Sequence, residues 1–262
     1  MIRAFRSELV KVLRRRVLVV TAAAVVVFAL GGAAIVLAAA EPAATAAPGR
    51  GPSVEDLVAA GGGTEVFRTA VSFAGLFVFV VFVGAVAVEY GRGTFRTMLL
   101  RQPRRIRLLA GKMAALLAFA AAVLAVTEVL TWLAARALAP SQDVATGAWV
   151  SLSAVGAGVV DYGAVLFWVT GYAVLGMTLA VLVRSVPVAL AAGIAWAGPF
   201  EHLVQDAWDP ASRLFPGLLL EAFVAGGTPE VSAGRALLTT AVYVGLAALV
   251  AGTSFARRDA VA

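Results

Sequence analysis

The chain has 262 residues, of which 61% are hydrophobic and 14% charged, with a formal net charge of +6 at neutral pH. Soluble domains carry roughly 45–50% apolar and about 25% charged residues, so a mean hydropathy of +0.94 excludes an ordinary soluble globule, intrinsic disorder and a nucleic-acid-binding domain. The absence of cysteine excludes disulfides, thiol catalysis and Cys-ligated metal, and a single histidine, His202, leaves no multi-histidine metal site or proton relay.

Residues 1–16 set Ile2, Phe5, Leu9, Val12 and Leu13 at helical spacing, with Arg3, Arg6, Lys11 and Arg14 mostly on other faces. That pattern predicts an amphipathic helix lying in a headgroup layer. A span needs about 20 apolar residues to cross a hydrocarbon core of about 30 Å. Six candidates follow, at about 17–39, 69–88, 113–135, 159–183, 186–204 and 236–255. Ala38-Ala39-Ala40 resembles a cleavage site, but the apolar run before it is longer than a secretory core of about 7–15 residues, so the first span is read as retained. The fifth is irregular: its uninterrupted part, 186–200, reaches only about 22 Å. It either continues past Glu201 and His202 to Val204 or breaks at Gly198-Pro199 and turns back.

Six spans put both termini on one side. Residues 1–16, 89–112, 184–186 and 255–262 hold 16 of the 21 Lys and Arg against three acids, whereas the opposite loops hold five Arg and eleven acids. Basic residues collect on the cytoplasmic side, so both termini are expected in the cytoplasm of a multi-pass protein of the cell membrane. The high isoelectric point thus reads as topology and lipid contact, with no nucleic-acid partner.

The loop after the second span carries more than orientation needs. Phe95, Met98, Leu99 and Leu100 fall on a short helix opened by Gly93 and Thr94, Thr94 being a suitable N-cap, and stopped by Pro103. An apolar face flanked by Arg96 and Arg101 suits contact with a cytoplasmic lipid or protein surface.

This loop resembles that of the membrane subunits of type-2 ABC transporters, through Glu89, Gly93-Thr94, Arg96, Leu99, Pro103, Arg105, Leu109, Gly111 and Lys112. Weaker echoes are Ser7-Glu8-Leu9-x-Lys11, Leu214-Phe215-Pro216-Gly217 and Phe255-Ala256-Arg257-Arg258-Asp259, in the expected order along the whole chain. The resemblance implies an all-α permease of six spans with an N-terminal interfacial helix and re-entrant helices after the fifth span, over about Ala211–Gly226. It also implies a coupling helix at about Gly93–Arg101, resting on an ATPase through Glu89, Gly93, Thr94, Phe95, Arg96, Met98, Leu99 and Arg101. No G-x-x-x-x-G-K-[ST] loop occurs, so ATP and Mg belong to a separate cytoplasmic ATPase chain, and this chain binds no cofactor of its own. A second permease subunit completes the pathway, as a homo- or heterodimer. No catalytic residue is expected, and the rival reading is a non-transporting six-span assembly or immunity factor.

Inside the spans, Glu128 is the sole deep acid, about 24 Å along the helix from Lys112. Two readings stay open: it lines a pathway, or it sits near the outer interface, hydrated or hydrogen-bonded through Thr127 or Thr131. Glu201 and His202 read as interfacial groups. Ala189, Gly193 and Ala197 form a stripe that permits close helix approach, and the five tryptophans read as packing and interface residues. Few deep charges favour a hydrophobic or amphipathic cargo such as a drug, lipid or peptide.

Overall fold

The computed structural model describes residues 1–44, 51–72, 74–101 and 104–257. In chain order the α-helices are α1 (Ile2–Val12), α2 (Arg15–Ala38), α3 (Val54–Val58), α4 (Gly62–Ser72), α5 (Gly75–Gly91) and α6 (Thr94–Arg101). There follow α7 (Arg105–Leu138), α8 (Leu152–Val183), α9 (Val186–Ala195), α10 (Glu201–Ala207), α11 (Pro216–Val224) and α12 (Ala233–Arg257). Among the described residues α2, α7, α8 and α12 are long and apolar enough to cross a membrane, and α4 with α5 makes a fifth such segment if the two are taken together. The chain is an all-α, multi-pass membrane protein.

Helix ends depart from the expected boundaries for local reasons. The N-terminal helix stops at Val12, short of the expected residue 16, and Arg14 takes an extended ψ of 138° before α2 begins. α7 and α8 begin at Arg105 and Leu152, well before 113 and 159, because hydropathy marks only the lipid-soluble part of a helix whose backbone bonding continues into water. The second span, expected at 69–88, is divided: α4 ends at Ser72, whose hydroxyl donates to the Thr69 carbonyl, and α5 begins at Gly75. The fifth neither stops nor turns back at Gly198-Pro199. Pro199 cannot donate to an α-helical ladder, and the backbone widens to a π turn over Trp196–Phe200 before α10 carries the helix to Ala207. Residues 186–207 thus make roughly 33 Å of helical backbone.

Contacts divide the chain into two compact units, and α7 and α8 supply residues to both. One unit comprises residues 1–12, 75–119 and 168–262. Its core is an aromatic knot: Tyr172 lies edge-on to Phe79 at 6.2 Å and to Trp168 at 4.9 Å. Two glycines let helices close on this knot, since a Cβ on Gly193 would lie 2.6 Å from the Phe79 ring and one on Gly176 3.1 Å from the Phe79 carbonyl. Ala189 and Gly193 of the small-residue stripe are buried, on the helix that packs against α5. Further on, α11 ends in a turn with left-handed Gly226 and Gly227, and the Gly227 N–H donates to the Ala222 carbonyl. Leu219, Ala222, Val231 and Ala236 then close α11 on α12.

The other unit comprises residues 13–74 and 120–167. Trp149 anchors it, buried with its indole N–H donating to the Leu57 carbonyl at 2.8 Å. Around it pack Val36 and Leu37 of α2, Val66 and Ala70 of α4, and Ala134 and Ala135 of α7. A capping box between Ser53 and Asp56 starts α3, and the Ser53 hydroxyl and N–H that donate to the Asp56 carboxylate hold its pKa below the ordinary range.

Candidate functional site

The mount of α6 is built from charges that a membrane protein buries only when they are paired. At the end of α5, Glu89 is buried, as are Glu8 of α1 and Lys112 of α7, whereas Lys11 of α1 is half-exposed. Lys112 reaches Glu8 and Glu89 at 2.9 Å each. Lys11 reaches Glu89 at 2.9 Å and also pairs with Glu8. Each lysine therefore bridges both glutamates, and the four ion pairs close a neutral ring that ties together three helices distant in sequence.

The ring sets the protonation of Glu8 and Lys11. Burial pushes the Glu8 carboxyl up, but the hydrogen bonds and charges of Lys11 and Lys112 outweigh it and leave the pKa below 4.5. Burial pulls the Lys11 ammonium down, and bonds to Glu8 and Glu89 outweigh that, leaving it above 10.5. Both stay ionised across the physiological range.

Close backbone approach makes the ring reachable. A Cβ on Gly111 would lie 2.8 Å from the Ala4 Cβ and 2.9 Å from the Met1 carbonyl, so α1 lies on α7 where a side chain is missing. α1 turns Ala4, Glu8 and Lys11 to this packing face, while Ile2, Arg3, Arg6 and Val10 are exposed. Its apolar stripe, with Phe5, Leu9 and Val12 partly exposed, stays available to a lipid interface.

The other segments of the basic face meet at the same end of α5. The Arg184 guanidinium sits over the Tyr90 ring at 5.7 Å, and Phe255 meets that ring edge-on at 6.4 Å. Arg105 donates to the Ala256 carbonyl at 3.5 Å. The segments 1–16, 89–112, 184–186 and 255–262, grouped above by charge alone, thus include residues in contact within one unit. α1 and the end of α12 both reach the α5–α7 connection.

From this mount α6 is launched by Gly93, whose φ of +64° lies in the left-handed region. Thr94 is the first helical residue, and its hydroxyl donates to the Glu89 carbonyl at 3.2 Å, tying α6 to the end of α5. Met98 and Leu99 are half-buried and Leu100 is 81% exposed. The side chains of Phe95, Arg96 and Arg101 lie outside the described residues, as do Pro103 and the Arg258-Asp259 pair.

Residues 46–261 match the family model described as Protein of unknown function (DUF2705). The chain belongs to the DUF2705 family. No curated protein matches it. The DUF2705 match takes in Glu89, α6 and Lys112, and the ring's other two members, Glu8 and Lys11, precede it.

Two further polar sites lie within the DUF2705 span. Leu214-Phe215-Pro216-Gly217 starts α11, with Pro216 in the first turn. The buried Glu201 carboxylate accepts the Leu218 N–H at 3.0 Å, so a side chain from α10 caps α11 across 17 residues. Gly217 leaves the room, since a Cβ there would overlap that carboxylate. His202 faces Glu221 at 3.2 Å. The cap escapes sequence reading because the capping residue comes from another helix.

Glu128 belongs to the other unit and lines a cavity of about 610 Å³ with Thr64, Trp132, Trp149 and Tyr162. Neither expected threonine holds it: Thr127 donates to the Val123 carbonyl, and Thr131 has no hydrogen-bond partner among the described residues. No group of three or more His, Cys, Asp or Glu able to hold a metal occurs among the described residues.

Proposed function

We propose that this chain is the membrane-spanning subunit of an ATP-driven type-2 ABC exporter. It pairs with a second permease subunit to form the pathway and takes force from a separate cytoplasmic ATPase, which binds ATP and Mg. The chain crosses the cell membrane six times, with both termini cytoplasmic and α1 lying in the inner headgroup layer. The spans are α2, α4–α5, α7, α8, the 186–207 segment and α12, and the stretch containing α11 re-enters from outside. The cargo is hydrophobic or amphipathic. The subunit does no covalent chemistry.

The observation that carries this reading is the ring of Glu8, Lys11, Glu89 and Lys112 at the root of α6. A helix that only crowned a loop would need no such mount. A helix pushed by a motor needs one, because force reaches the spans only if its root is fixed to several of them at once. The contacts among basic-face segments support a common side for both termini, and the charge sorting supports the cytoplasm.

Affinity purification of the tagged chain from its native membrane tests the reading. An ATPase should co-purify stoichiometrically, and Leu100→Asp on the exposed face of α6 should release it or uncouple its hydrolysis. Isolation with no ATPase, or an ATPase indifferent to changes across residues 93–101, would overturn the reading and favour a non-transporting membrane protein.

A further inference from the structure

We propose that the cavity around Glu128 is a binding site for an amphipathic organic cation. Its outline of about 610 Å³ is the size of a small-molecule site, and its lining is largely apolar. Trp132, Trp149 and Tyr162 supply aromatic surface. The polar ends of two of these rings are already engaged, the Trp149 N–H by the Leu57 carbonyl and the Tyr162 hydroxyl by the Ala121 carbonyl. Gly158 keeps one wall open, since a Cβ there would lie 3.5 Å from Glu128 Oε1 and 3.2 Å from the Thr64 methyl.

Charge balance selects the occupant. Thr64 donates to Asp161 at 2.7 Å, and Arg68 pairs with Asp161 at 3.5 Å and also with Glu65. One guanidinium thus serves two carboxylates. Glu128 makes no hydrogen bond or ion pair among the described residues. The nearest cation along its own helix, Arg136, is two turns on, about 12 Å, and lies over the Trp132 ring at 5.4 Å. A half-buried carboxylate without a partner, set among aromatic rings in a membrane protein, provides what an alkyl- or arylammonium ion lacks on leaving water: a counter-charge and π faces. An anion would add to the charge excess, and a neutral acyl chain would leave it uncompensated.

Binding requires neither ATP nor transport, so this site stands apart from the permease reading. The probes are tetraphenylphosphonium and tetraphenylborate, which match in size and shape and differ in charge. Equilibrium dialysis uses the full chain in zwitterionic nanodiscs, with binding to empty nanodiscs subtracted. The phosphonium should bind saturably and the borate at least tenfold more weakly. Glu128→Gln should weaken the phosphonium at least tenfold, while Glu128→Asp retains most of the binding. Equal binding of both probes would identify a lipid-filled groove and overturn the proposal, and so would the absence of saturable binding. The comparison of the two probes on the unaltered chain holds even if Glu128→Gln fails to fold.

Discussion

Replacing Lys112 with methionine separates a buried charge ring from surface ion pairs. Lys112 is 4% exposed and is the one contact between Glu8 and Glu89 that lies wholly inside the protein. Its loss leaves two carboxylates, 3% and 8% exposed, sharing Lys11, whose side chain is 40% exposed. Breaking a buried pair by removing one partner costs about 3–5 kcal/mol, because the remaining charge is left desolvated. Removing Lys11 should cost about 1 kcal/mol, since water already screens its head. Lys112→Met combined with Glu89→Gln leaves the Glu8–Lys11 pair and no surplus charge, so the double variant should recover at least about 2 kcal/mol of the single-variant loss. Equilibrium unfolding in mild detergent, followed by tryptophan fluorescence, measures the unaltered chain, the two lysine variants, Glu89→Gln and the double variant. Equal costs at Lys112 and Lys11, or strict additivity in the double variant, would refute a closed and buried ring.

Three other outcomes follow from the same contacts. Because the Glu8 pKa is lowered, its contribution is present above about 4.5 and lost as pH falls through the folded value, whereas that of Lys11, raised above 10.5, is lost only as pH rises through its folded value; a stability profile should show an acid limb that Glu8→Gln flattens. Gly111→Val should lift α1 off α7 at a cost of about 1–3 kcal/mol from overpacking, read as faster tryptic cleavage at Arg14–Arg16. Glu201→Ala and Gly217→Ala should each cost about 1–2 kcal/mol through the same α11 cap, so the double variant should be clearly less than additive in thermal unfolding.

What could be read in advance was whatever composition and charge decide locally. Long runs such as Val17–Ala39 are helical because a helix satisfies every backbone group within one segment in lipid, and they appear as α2 and its counterparts. Glu8, Lys11, Glu89 and Lys112 were all visible as parts of motifs, but Glu89 and Lys112 are 23 residues apart, and nothing in spacing says that α1 returns to join them. Gly111 was the nearest clue, since a missing side chain on one helix is where another backbone fits. The π turn at Pro199 was ambiguous because a proline can end a helix or widen it, and packing settles which. The Glu201 cap was hidden for the same reason as the ring: a hydrogen bond across 17 residues leaves no local pattern.

Two carboxylates of this chain, Glu128 and Glu201, show how differently a membrane protein treats an acid. Glu201 is buried at 2% exposure, and its cost is offset by a helix N-terminus aimed at it, with Gly217 making the space. Its Oε2 is bound by the Leu218 N–H, and removal should loosen structure. Glu128 has no such compensation: neither Thr127 nor Thr131 bonds it, and the one guanidinium of its cluster is shared by Glu65 and Asp161. Substituting it with glutamine should therefore leave stability within about 0.5 kcal/mol or raise it, since an uncompensated charge is removed. A loss of several kcal/mol on Glu128→Gln would mean that the carboxylate holds the helices together, and the cavity could not then be read as a site waiting for a cation.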